Sequence, residues 1–153
     1  MKRSLALVAV LTLAAVGVVV ATAGGNPASP AATFTVVERA TTDAVTDTGK
    51  KGDSAGDILT FANQLFDAAN TTKVGTDNGY CVRTVVGTSW ECWWTTSLKG
   101  GQITVEGPFL DAGPSQLAIT GGTGRYSRAR GWMKLKARND KGSEYDFVYH
   151  VQG

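Results

Sequence analysis

The stretch Leu117–Gly131, LAITGGTGRYSRARG, constrains the fold most. Apolar and β-prone residues run into Gly121-Gly122-Thr123-Gly124, an aromatic-basic segment follows, and a second run covers Trp132–Ala137. Glycine reaches backbone angles that other residues resist, so the pattern predicts a strand, a tight reversal and a return strand. One turn tying two long strands together places this stretch in the middle of an all-β closure.

The rest of the chain supplies the other strands. Thr33–Arg39 is β-branched and aromatic, and Gln102–Glu106 alternates; both read as strands. Ser115–Thr120, Gly131–Arg138 and Ser143–Val151 add three more, the last with Tyr145, Phe147, Tyr149 and Val151 on one face. Ala40–Gly56 is polar and glycine-rich and reads as a loop. Asp57–Ala69 fits either a helical face (Ile58, Phe61, Leu65, Phe66) or a short strand with a partly helical sequel; the company it keeps favours the strand. About eight strands with short connections and no βαβ period predict an eight-stranded antiparallel β-barrel with a central cavity, because closure removes the edges of an open sheet.

Tyr80–Val86 and Ser89–Leu98 form the most informative pair. A turn near Val86-Gly87 sets Cys81 opposite Cys92 and Arg83 opposite Trp90. Cys81, Arg83, Trp90, Cys92 and Trp94 then share one face, and Trp93 points the other way. Opposed cysteines in an exported domain predict a Cys81–Cys92 disulfide, and a register slip of one residue would part them.

The start of the chain reads separately. Met1-Lys2-Arg3, the apolar run Leu5–Ala23 and the small residues Ala21-Thr22-Ala23 have the order of a secretory signal peptide. The run is also long enough to span a bilayer, so a retained anchor is the rival reading. On the first reading residues 1–23 are removed, 24–32 form a flexible tether and 33–153 form the domain. The protein is then secreted or extracytoplasmic, with no stable membrane span.

Loss of Lys2 and Arg3 lowers the 15 basic residues by two, to match the 13 acidic ones. No basic groove remains to track phosphates, so nucleic acid is not an expected partner. His150 is the single histidine and lacks ligand companions at useful spacing, so neither a metal nor a cofactor is expected. Ser115, Ser127 and Ser143 have no assignable base, which leaves triad hydrolysis without support.

Gly56–Phe66 (GDILTFANQLF), Gly79–Val82 (GYCV), Ile103–Leu110 (ITVEGPFL) and Leu117–Gly131 follow, in order and spacing, the pattern of the allene oxide cyclase family. The glycine turn followed by Ala-Arg-Gly also resembles plant dirigent proteins, which share that barrel. The resemblance spans about Thr33 to Val151. It implies a protein that steers stereoselective cyclisation or coupling of a small apolar reactive intermediate, and a homo-oligomer as a further partner. Cys81 matches the ligand-side cysteine of the cyclases, Phe109 stands where their tyrosine does, and Thr35 and Val37 replace a glutamate and an asparagine on the first strand. Glu38 matches the next family acid, and regular alternation turns it away from the cavity.

Arg83 is the expected catalytic group, a guanidinium among indoles suited to a carboxylate or to developing oxygen charge. Its bland alternative is an arginine stacked on tryptophans over a solvated face. Cys81, Trp90, Trp94, Phe109, Thr35 and Val37 are the expected substrate-binding wall for a small apolar or amphipathic ligand. Two other functions compete: a carrier of a hydrophobic ligand without turnover, and a structural barrel filled by its own side chains.

Overall fold

The computed structural model describes residues 31–152. The expected signal peptide and most of the tether lie outside the described residues.

Nine strands follow in order: β1 (Ala32–Arg39), β2 (Ala44–Thr46), β3 (Ile58–Phe66), β4 (Lys73–Val85), β5 (Ser89–Leu98), β6 (Gly101–Leu110), β7 (Ser115–Gly122), β8 (Arg130–Ala137) and β9 (Glu144–Gln152). Each strand from β3 to β9 pairs with the next, β9 pairs with β1, and β1 pairs with β3 to close an eight-stranded antiparallel barrel. β2 adds three residues along β3 beyond the end of β1. β1 and β2 are thus one edge interrupted at residues 40–43, inside the segment read as a loop.

Asp57–Ala69 resolves as strand β3 followed by a turn in which Asn70 has φ 59° and Asn70 N donates to Asp67 O. Pairing with β4 and β1 outweighs its helical periodicity, which is local and weak against two ladders. The Gly121–Gly124 reversal is wider than a tight hairpin. Gly121 and Gly122 still pair with β6, and a 3-10 turn over Gly124–Tyr126 leads to β8.

Alternation sets the interior. Phe147, Tyr149, Leu65, Ile103, Leu117, Met133 and Val105 are completely buried inside the barrel. Phe34 stacks on Tyr149 at 5.1 Å, and Trp94 meets Phe147 at 5.5 Å. The Trp94 indole fits because its cross-strand neighbour is Gly79, where a Cβ would collide with the Trp94 Cβ. At Gly131, φ is 119° and a Cβ would strike the His150 carbonyl, so glycine is required where β8 meets β9.

Cys81 and Cys92 are register partners and form a disulfide, with Cα atoms 4.0 Å apart. Arg83 is opposite Trp90, as the hairpin predicts.

Candidate functional site

The break between β1 and β2 builds the site. Residues 40–43 leave the ladder, and the buried side chain of Asn63 on β3 takes its place. Asn63 Oδ1 accepts from Thr41 N (2.9 Å), Thr42 N (3.0 Å) and Thr42 Oγ1 (2.9 Å). Asn63 Nδ2 donates to Glu38 Oε1 (2.8 Å) and Asp43 Oδ1 (2.7 Å). Both amide donors and the acceptor are used, which fixes two carboxylates from opposite sides of the strand break.

Glu38 points into the barrel. Its register partners are Tyr145 on β9 and Leu65 on β3, both inward, and it is 5% exposed. This reverses the outward orientation inferred from alternation with Thr35 and Val37. Phe34, Val36 and Glu38 are the inward set of β1, and Thr35 and Val37 face outward. Val37 is buried there beside Phe66, outside the interior cluster.

Asp77 on β4 faces the same interior and is 1% exposed, and its side chain meets the Glu38 carboxyl. Burial raises the Glu38 carboxyl well above the usual range, and the neighbouring charge of Asp77 adds to this; the Asn63 hydrogen bond opposes it. Burial pushes Asp77 up to about 6. Two acids this close in a dry interior hold protons at pH values where free carboxylates have lost them. Deeper still, Thr96 Oγ1 and Tyr149 Oη lie 2.6 Å apart, and burial holds the Tyr149 phenol protonated. The buried Trp94 Nε1 has no hydrogen-bond partner.

A cavity of about 30 Å³ lies against Glu38 and Trp94. Its walls include Glu38, Asp43, Cys81, Trp94, Phe109 and Tyr145. That is room for one or two waters or for a small polar head. Asp43 is exposed while Phe61, Phe109 and Tyr145 are half-buried, so the chamber reaches the surface beside them.

Arg83 shares the inward face of β4 but does not line this cavity. Its guanidinium is paired elsewhere: Nη1 donates to both oxygens of Asp111 at 2.7 Å. Nε lies 2.6 Å from Asp53 Oδ1 in an ion pair rather than an aligned hydrogen bond. The guanidinium carbon sits 4.1 Å over the Trp90 ring. Arg83 therefore ties the loop carrying Asp53 and the end of β6 to the barrel. Asp57 orders that loop, accepting from Thr48 N, Ser54 N and Ser54 Oγ. Those bonds, Ser54's first, hold its carboxyl below the usual range.

Of the expected wall, Cys81, Trp94 and Phe109 come together around the chamber. Trp90 stands with Arg83, and Thr35 and Val37 are on the outer face. Trp93 is exposed there with Tyr80, ring centroids 6.1 Å apart. His150 is half-buried and stacks on Trp132 at 3.7 Å. Among the described residues no group of three or more His, Cys, Asp or Glu converges as a metal site. Asn63 and Asp77 were missed by sequence reasoning. Asp77 lies four positions before Cys81, with inward parity, but residues 73–79 did not read as strand. Asn63 keeps parity with Leu59 and Phe61, a signal that a committed strand reading would have exposed.

Residues 34–148 match the family model described as "Allene oxide cyclase barrel like domain". The fold is similar to that of a pyocyanin demethylase, with 28% identity, a TM-score of 0.67, and coverage of 77% of this chain and 100% of that one. It is also similar to the pterocarpan synthase dirigent protein PsPTS1, at 16% identity and TM-score 0.65, covering 82% of this chain and 99% of that one. The exo-specific intermolecular Diels-Alderase AbnU shares the fold at 11% identity and TM-score 0.62, with 82% and 100% covered. With the closed barrel, the interior chamber and a family match over most of its length, this chain belongs to the allene oxide cyclase barrel-like family.

Proposed function

We propose that the barrel binds a small, largely apolar reactive molecule in the chamber and steers its cyclisation, isomerisation or coupling by moving a proton through Glu38 and Asp77. The observation that carries this is the buried carboxyl pair inside an aromatic wall. A pair that retains a proton near neutral pH can donate it to one atom of a ligand and take one back from another. Holding the ligand in one conformer supplies the selectivity. The name of the pyocyanin demethylase says that it acts on pyocyanin, which supports a small-molecule role for the same interior at 28% identity.

On this reading Arg83 closes one end of the barrel, and polar contact with the ligand belongs to the acids. The protein is exported, as the apolar leader and the disulfide together suggest. No helix among the described residues is long and apolar enough to cross a membrane.

The test uses conjugated epoxides, polyenes and phenols. Binding is followed by quenching of tryptophan fluorescence, and products are resolved by chiral chromatography. The parent protein should give one stereoisomer in excess, and Glu38→Gln should still bind while losing that excess. A variant that retains both rate and selectivity would exclude Glu38 as the proton carrier.

A further inference from the structure

We infer that the chamber takes a ligand bearing a protonated nitrogen, its N–H groups held between Glu38 and Asp43, with Asp77 acting through Glu38, and its apolar body against Phe61, Phe109 and Tyr145. This rests on the reading of the chamber as a small-molecule site.

The charge arrangement carries the inference. Glu38 from β1 and Asp43 from the 40–43 break line the chamber, joined by the neutral amide of Asn63, and Asp77 from β4 meets Glu38 beside it. The charges acting most strongly on Glu38 and Asp77 are acidic. Nearby cations are committed elsewhere. Arg83 pairs with Asp53 and Asp111, and Arg138 pairs with Asp146. Arg39 lies on the outer face, bonded to Asn70 and stacked on Phe66.

Two further observations point to what is missing. Asp77 is almost fully buried and its side-chain hydrogen bond is to the Glu38 carboxyl, so when the pair loses its shared proton a ligand N–H at Glu38 relieves two buried acids at once. The walls beside the acids include the aromatic side chains of Trp94, Phe147, Phe61 and Tyr145, a lining that can accommodate a cation. The volume of about 30 Å³ admits an ammonium-sized head and little more, so the body stays at the mouth. A carboxylate or phenolate tail would meet acids instead of a counter-charge.

The polar groups lining the chamber around the bound nitrogen are Glu38, Asp43 and the Tyr145 phenol, and Asp77, the Asn63 amide and the Tyr149 phenol neighbour Glu38. A cation entering displaces the proton retained by the acid pair. Affinity therefore rises with pH through the titration of that pair.

The test compares three probes of similar shape by calorimetry at pH 8 and pH 5: benzylamine, benzyl alcohol and benzoate. Benzylamine should bind at least tenfold more tightly than benzyl alcohol at pH 8, with benzoate weakest, and should lose most of that advantage at pH 5. Glu38→Gln and Asp77→Asn should each narrow the gap while benzyl alcohol binding is kept. If benzyl alcohol or benzoate binds as tightly as benzylamine, the inference is overturned while the chamber remains a small-molecule site. If none binds at millimolar concentration, both readings fall.

Discussion

Asn63 Nδ2 donates to Glu38 Oε1 at 2.8 Å, so the residue that repairs the break between β1 and β2 also holds the buried acid. Its Oδ1 accepts two main-chain N–H groups that would otherwise lack a ladder partner. Asn63→Leu fills the space but strands those donors and both carboxylates. We expect a loss of roughly 2–4 kcal/mol, since buried polar groups left unpaired each cost about 1–3 kcal/mol. Urea denaturation measures it; a loss below about 1 kcal/mol would mean that water replaces the amide.

The acid pair makes stability depend on pH. Burial raises both folded-state carboxyls above their unfolded values, Asp77 to about 6. The native state therefore binds more protons than the unfolded chain, and stability falls as pH rises from the unfolded value through the folded one. Asp77→Asn removes its share of this penalty and leaves an amide to meet the Glu38 carboxyl. It should raise stability at pH 8 by about 1–3 kcal/mol and little at pH 4. Thermal melts across that range test it, and a variant less stable than the parent at pH 8 contradicts it.

The Cys81–Cys92 bridge spans 11 positions of sequence. Closing a loop of that length stabilises by about 2–3 kcal/mol, chiefly by restricting the unfolded chain. Protein purified without reductant should carry no alkylatable thiol. Reduction should lower the midpoint of urea unfolding by the corresponding amount, without changing the strand content seen by circular dichroism.

Arg83→Leu should leave Asp53 and Asp111 without their cation. Both acids are partly solvated, so the loss is about 1–2 kcal/mol, less than for a fully buried pair. Arg83→Lys should recover part of it, because a point charge cannot reproduce the two-oxygen grip on Asp111. Limited proteolysis within residues 47–57 should accelerate in the Leu variant. Unchanged cleavage would show that Asp57 alone holds the loop.

Much of the barrel was legible from local pattern. β-Branched and aromatic composition marked Thr33–Arg39, period-two alternation marked Gln102–Glu106 and Ser143–Val151, and the short Val86-Gly87 turn fixed the register that joins Cys81 to Cys92. These follow from sequence because neighbours along one strand, or across one tight turn, obey fixed geometry. Closure depended on more: β1 meets β3 over only Val37–Arg39, a pairing set by how far the strands stagger around the ring.

The polar centre was decided by that tertiary arrangement. In sequence, Glu38, Asn63 and Asp77 are three isolated polar residues, two of them in segments that did not read cleanly as strands. Which face of β1 lies inside depends on its pairing with Tyr145 and Leu65, residues far along the chain. The pairing of Arg83 likewise depends on where Asp53 and Asp111 fold. Sequence determined that this chain closes into a barrel with a bridged aromatic hairpin. Only the closed barrel decided that its inner polar groups are acids and that its inward arginine is already paired, because burial and charge pairing are properties of distant residues brought into contact.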